Sequence, residues 1–317
     1  HRSVRPTSTF SFPADKLMGP YSYRNPILRG LRSRRFFDST THVALDGFLP
    51  YYHLTRRGKI ESDVHWLASH GYKVALIAHG SDVRDPDRHM DSDPWSCFKE
   101  NSESWLVSAR ESAKRNREFA QSADVPLFYS TPDLATELPN GTWLPVCIDV
   151  DSWRTDAPVL ERQVPRVMHI PSSQAVKGSR YIVPALEKLA SIGVIEYVTT
   201  HAPVPNVQMK ALVQSCDVVI DQILLGSYGV AALEAMSAGR VVVGRLRDDV
   251  RARLPSPVHI VDANPDNVFE VILSLIDRRD ELRGYAVENV AFARRWHDGT
   301  ESALRLAKFL DNGGQAT

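Results

Sequence analysis

The sequence predicts an α/β protein with two parallel-sheet domains facing a central crevice. Three observations predict it. Short β-branched runs alternate with helical patterns from residue 41 to residue 263, the order that builds βαβ units. A proline- and charge-rich stretch, TDAPVLERQVP (155–165), breaks the alternation near the middle and reads as a linker. A chain of 317 residues is long enough for about two domains.

In the first half, THVALDGF (41–48) reads as a strand and IESDVHWLASHG (60–71) as a helix with a glycine stop. YKVALIAHGSDVRD (72–85) is a buried strand running into a polar His-Gly-Ser-Asp turn. Residues 86–100 read as a loop. SWLVSARESAKRNREFAQSA (104–123) is a long helix with a charged outer face. VPLFYSTPDLATELP (125–139) reads as strand, Ser/Thr-Pro cap and helix, and TWLPVCIDVDSW (142–153) as a strand entering a connector.

After the linker the alternation resumes. RVMHIPSS (166–173) is a strand and turn, SRYIVPALEKLASIG (179–193) a helix, VIEYVTT (194–200) a strand and NVQMKALVQSC (206–216) a helix. CDVVIDQIL (216–224) is a strand, followed by a Gly-Ser-Tyr-Gly turn. VAALEAMSAG (230–239) is a helix with Gly239 placed as its C-cap, and RVVVG (240–244) is another strand. PVHIVDA (257–263) is the last strand, and helices close the chain. The expected domains are 1–156 and 157–298, with 299–317 as a helix packing back on the first.

Composition narrows the function classes. Lys plus Arg and Asp plus Glu each number 38, so bulk nucleic-acid binding has no electrostatic support. No window approaches the roughly 20 apolar residues of a membrane span. NPILRGLRSRRFF (25–37) mixes Arg with bulky apolar residues and suits peripheral contact with an anionic lipid surface, or else a solvated helix edge. Cys97, Cys147 and Cys216 are far apart and lack metal spacing, which fits reduced thiols and a cytoplasmic setting. Asp91-Ser92-Asp93 and Asp149-Val150-Asp151 have the Asp-x-Asp spacing of metal sites but surface-turn composition, and no metal is expected at either.

The chemistry concentrates at residues 226–234. A turn of Gly226, Ser227, Tyr228 and Gly229 leading into a helix N-terminus gathers backbone N–H groups and suits a phosphate. Glu234 follows among Ala231, Ala232, Leu233, Ala235 and Met236. A carboxylate in such a setting needs donors, and a ribose offers two adjacent hydroxyls.

GSYGVAALEAMSAGRVVV (226–243) resembles the donor-binding signature of retaining GT-B glycosyltransferases, especially family 4. HIPSSQAVKGSRYIVPALEKL (169–189) is similar to the first strand, loop and helix of that family's donor domain. AHGSDVRD (78–85) is similar to the His-containing turn of its acceptor domain. The resemblance implies two Rossmann-like domains, the first one shortened at its start. It implies metal-independent transfer of a sugar, with retention, from a nucleotide-diphosphate sugar to a saccharide, lipid-linked or small-molecule acceptor, with no separate cofactor. It places Glu234 on the donor ribose and Lys177 on the diphosphate. It places Gly226, Ser227, Tyr228, Gly229 and Ser172 around the donor. His79 reaches the transferred sugar, and Gly80, Ser81, Asp82 and Arg84 lie on the acceptor side. Two positions depart from the family pattern: Gly226 stands where a Glu is usual, and Ser172 where an Arg is usual. A sugar-nucleotide epimerase of the same fold and a non-catalytic binding subunit are the alternatives.

Overall fold

The computed structural model describes residues 2–3, 16–17, 25, 40–48, 59–200, 204 and 206–311. Apart from Asn25, the basic segment 25–37 lies outside the described residues. Two short strands near the start, β1 (Arg2–Ser3) and β2 (Lys16–Leu17), pair in parallel.

The first half of the chain builds a parallel sheet from β3 (His42–Asp46), β4 (Lys73–Ala78), β5 (Leu127–Tyr129) and β6 (Thr142–Trp143), in that spatial order. Strand β4 buries Val74, Ala75, Leu76 and Ala78, so both of its faces are covered. That is why its sequence is a continuous apolar run rather than an alternating one. Helix α1 (Ile60–Ser69) joins β3 to β4 and buries Ile60, Val64 and Leu67 at helical spacing.

Residues 86–100 are not an open loop. They form helix α2 (Pro86–Ser92) and a 3₁₀ turn (Cys97–Glu100). The Asp85 side chain accepts from the N–H groups of Asp87 and Arg88, and Pro86 sits at the first helical position. The helix is seven residues long, too short for apolar periodicity to show. Helix α3 (Glu103–Ser122) follows, capped by Ser102.

Helix α4 (Val150–Trp153) leads into the connector. The connector is pinned rather than free. Arg240 is buried and donates to the carbonyls of Ala157 and Pro158, while Arg279 holds those of Leu160, Arg162 and Gln163.

The second half builds a five-stranded parallel sheet from β7 (Arg166–Met168), β8 (Glu196–Val198), β9 (Val218–Ile220), β10 (Val241–Gly244) and β11 (Ile260–Asp262). The spatial order is β8-β7-β9-β10-β11, so the winding reverses between β7 and β9. Ligands of open α/β sheets bind at such a reversal, outside the carboxyl ends of the strands. The helices of this half are α5 (Gln174–Lys177), α6 (Ser179–Ser191), α7 (Asn206–Ser215), α8 (Val230–Ser237), α9 (Asp248–Arg251), α10 (Val268–Ser274), α11 (Arg279–His297) and α12 (Thr300–Asp311). Phe309 on α12 is buried with Ala75 and Phe128 of the first sheet and Leu144 just after β6.

Candidate functional site

The reversal between β7 and β9 brings two loops together. One follows β7 and carries Lys177. The other follows β9 and runs from Asp221 to the start of α8. Between them His169 is buried, donating from Nδ1 to the Ile220 carbonyl at 3.0 Å and accepting at Nε2 from the Ser179 hydroxyl at 2.9 Å. Burial pushes the pKa of this imidazole down, so the ring is a neutral strut. Gly178 takes a left-handed φ of 82°, and a Cβ there would lie 2.7 Å from Ile223 Cγ1. Only glycine lets α5 and α6 meet so close to the second loop.

Lys177 Nζ donates to Asp221 Oδ1 at 2.5 Å, and the Gly229 N–H donates to Asp221 Oδ2 at 2.9 Å. The Asp221 side chain is 2% exposed and that of Lys177 14%. So the Gly229 amide, expected to face a ligand, is already bonded to Asp221. No side chain caps α8. Its first-turn amides, at Val230 and Ala231, carry the helix's partial positive charge.

Glu234 lies one turn further along α8. Its side chain makes no hydrogen bond or ion pair among the described residues. Among the described residues, then, no internal partner makes this carboxylate structural. Burial, with Asp221 beside it, pushes the Glu234 carboxyl up to about 7 against the opposite pull of Lys177.

The remaining donor-side residues separate. Ser172 is exposed on the β7 loop. Ser227 is 1% exposed. Tyr228 does not point outward: it is 4% exposed, and its hydroxyl donates to His297 Nε2 at 3.2 Å. Gly226 has φ 72°, and a Cβ there would meet Arg247 Cγ at 2.5 Å. The space that a Glu side chain would occupy at this position holds the Arg247 stem.

On the other sheet, the β4 turn carries His79, and β3 ends at Asp46. The two strands run side by side, with Asp46 opposite Ile77. His79 Nε2 bonds to Asp46 Oδ1. That hydrogen bond raises the His79 pKa and lowers that of Asp46, and burial opposes both shifts. Asp82 accepts from the His79 N–H at 3.0 Å and from the Gly80 N–H at 2.7 Å, fixing the backbone. Ser81 is exposed. Arg84, which the resemblance places on the acceptor side, is instead 7% exposed and donates from Nε and Nη2 to Asp133 at 3.0 and 2.5 Å. A guanidinium with a carboxylate one loop away is stabilised by turning inward.

Residues 86–101 join the two halves. Arg245 Nη1 reaches Asp93 at 2.7 Å, with Asp93 fully buried. Asp93 is thus a buried ion-pair partner, not the surface-turn residue that its composition suggested. Cys97 N–H donates to the Leu224 carbonyl at 3.2 Å and His89 Nε2 to that of Leu225 at 3.1 Å. This arm carries the His79 turn onto the loop that begins at Asp221. The second Asp-x-Asp pair is structural too: Asp149 caps α4, and Asp151 pairs with Arg294 at 2.5 Å. Asp46 and Asp221 are site residues that the sequence analysis does not single out; both stand directly at a strand's carboxyl end, which is the available signal.

No protein-family model matches this sequence, and no curated protein does. Solved structures match in shape. Sucrose-phosphate synthase from Thermosynechococcus elongatus is 9% identical, with a TM-score of 0.61 over 90% of this chain and 77% of its own. HepE of Anabaena, solved in complex with UDP, is 12% identical, with a TM-score of 0.58 over 95% and 86%. A glycosyltransferase from Rickettsia africae is 11% identical, with a TM-score of 0.54 over 92% and 83%. These likenesses and the two parallel sheets define the class: the chain has the GT-B fold.

Proposed function

We propose that the protein transfers a sugar, with retention and without a metal, from a nucleoside-diphosphate sugar to a saccharide, lipid-linked or small-molecule acceptor. One observation carries the reading. Lys177, held by Asp221, stands at the switch point beside the α8 N-terminus, and the Glu234 carboxylate waits one turn beyond with no partner among the described residues. A cation and free amides suit a diphosphate. A carboxylate beyond them suits the two hydroxyls of a ribose, each charged hydrogen bond being worth about 1.5–3 kcal/mol.

When the anomeric bond breaks, negative charge grows on the leaving diphosphate. Lys177 and the α8 amides are already in place to take it, so nothing has to reorganise. His79, reaching from the opposite sheet, meets the sugar. The leaving phosphate takes the acceptor's proton on the same face, which retains configuration. HepE has been solved with UDP and glucose and with UDP-glucose, and these make uridine sugars the first donors to test.

The test is a screen of UDP-, GDP- and TDP-sugars by thermal shift, followed by product analysis with labelled donor and candidate acceptors. Transfer with retained anomeric configuration supports the reading. Epimerised donor would identify an epimerase instead. Nucleotide binding with neither product would identify a non-catalytic binding subunit, which the Arg247 stem in the space beside Gly226 favours.

A further inference from the structure

We propose that Asp46 is a positioning residue for His79: it holds the ring through Nε2 and leaves Nδ1 as the nitrogen offered to the sugar. The inference rests on the glycosyl-transfer reading and deepens it. The side chains of His79 and Asp46 are 48% and 71% exposed. Pairs this exposed add at most about 1 kcal/mol to stability, so the fold gains little from keeping them together. Yet the histidine is fixed twice, its ring by Asp46 and its backbone by Asp82. Both residues stand at the carboxyl ends of adjacent parallel strands, the edge where ligands of such sheets gather. His79 Nδ1 has no partner among the described residues.

The consequences are specific. A carboxylate on Nε2 fixes the proton there in the neutral ring, so that Nδ1 accepts a hydrogen bond from a sugar hydroxyl. In the charged ring Nδ1 donates one. Among the described residues, the charged groups acting on this ring are Asp46 and Asp82, and both favour its protonated form. Removing the Asp46 charge therefore moves the His79 titration to lower pH.

The experiment compares wild type with Asp46→Asn and Asp46→Ala in ¹⁵N-labelled full-length protein. Long-range ¹H–¹⁵N spectra give the tautomer and titration midpoint of His79, assigned by the signal lost in His79→Gln. Asn keeps an acceptor oxygen, so Asp46→Asn should lower the midpoint and keep the tautomer. Asp46→Ala should lose both. The His79 inflection in the pH profile of kcat/KM should move down with the midpoint. At its optimum kcat/KM should fall roughly 10- to 100-fold, the loss of one charged hydrogen bond, with nucleotide affinity unchanged. A midpoint and tautomer unmoved in both variants would overturn the proposal. So would a moved midpoint with an unmoved kcat/KM profile. If wild type transfers no sugar at all, the glycosyl-transfer reading fails, and with it the part given to Nδ1. The spectra still decide whether Asp46 holds the ring.

Discussion

Replacing Glu234 by Gln should stabilise the unliganded protein at pH 8 and leave it unchanged at pH 4. The Glu234 carboxyl is raised from 4.5 to about 7 by burial and by Asp221. A raised carboxyl is harmless to the fold while protonated. Its cost is absent below pH 4.5, grows between pH 4.5 and 7, and is constant above. Two and a half pH units at about 1.4 kcal/mol each come to about 3.5 kcal/mol above pH 7. Gln has the same shape and no charge, so the variant should recover much of that at pH 8. The assay is urea unfolding of both proteins at pH 4, 6 and 8, with nucleotide titration alongside. The same variant should bind nucleoside diphosphate roughly 10- to 100-fold more weakly, the loss of a charged hydrogen bond to the ribose. A stability difference that does not change between pH 4 and pH 8 would refute the electrostatic argument. Unchanged nucleotide affinity would refute the ribose role.

Other expectations follow from the same cluster and its neighbours. Lys177→Ala should abolish measurable nucleotide binding and destabilise the fold by about 3–5 kcal/mol, because Asp221 is left buried without its cation. Adding Asp221→Asn should restore much of the stability but not the binding, which titration and urea curves would separate. His79→Ala should lower kcat and kcat/KM together by roughly 10²-fold with nucleotide affinity unchanged, the pattern of a contact made in the transition state. Arg245→Met should cost about 3–5 kcal/mol in urea unfolding by stranding Asp93, and Arg245→Met with Asp93→Leu should recover most of it. Transfer should persist in excess EDTA, since Lys177 supplies the cation; loss with EDTA and rescue by manganese would contradict this.

The layered fold was legible because its strands are apolar and its breaks are marked. RVVVG is buried throughout, KVALIA buries Val74, Ala75, Leu76 and Ala78, and Gly239, expected as a C-cap, has φ 67° and donates to the Met236 carbonyl. Strand boundaries were less legible. CDVVIDQIL contributes only Val218–Ile220 to the sheet, and the Asp221 that follows spends its side chain on Lys177 and the Gly229 N–H. At the site, Glu234 and Lys177 were visible as isolated charges in apolar or glycine-flanked settings. Pairings were not visible. Arg84 and Asp133 stand 49 residues apart, Arg245 and Asp93 152 apart. Their partners are chosen by the folded chain, so no local pattern marks either pair. Asp46 was hidden for the same reason, 33 residues from His79.

The arm of residues 86–101 also sets where this molecule can be cut. Cys97, Phe98 and Leu106 belong by sequence to the first half, but they are buried in one apolar cluster with Ile223, Leu224 and Ile182 of the second. Compositional logic would place the seam at the connector near residue 156. A hybrid joined there with a foreign first half would remove three side chains from the interior of the half it keeps, and take from Arg245 its ion-pair partner Asp93. The natural unit of exchange is discontinuous: residues 86–106 travel with 157–298. A first half brought in from another protein must therefore be grafted around that arm rather than in front of the connector.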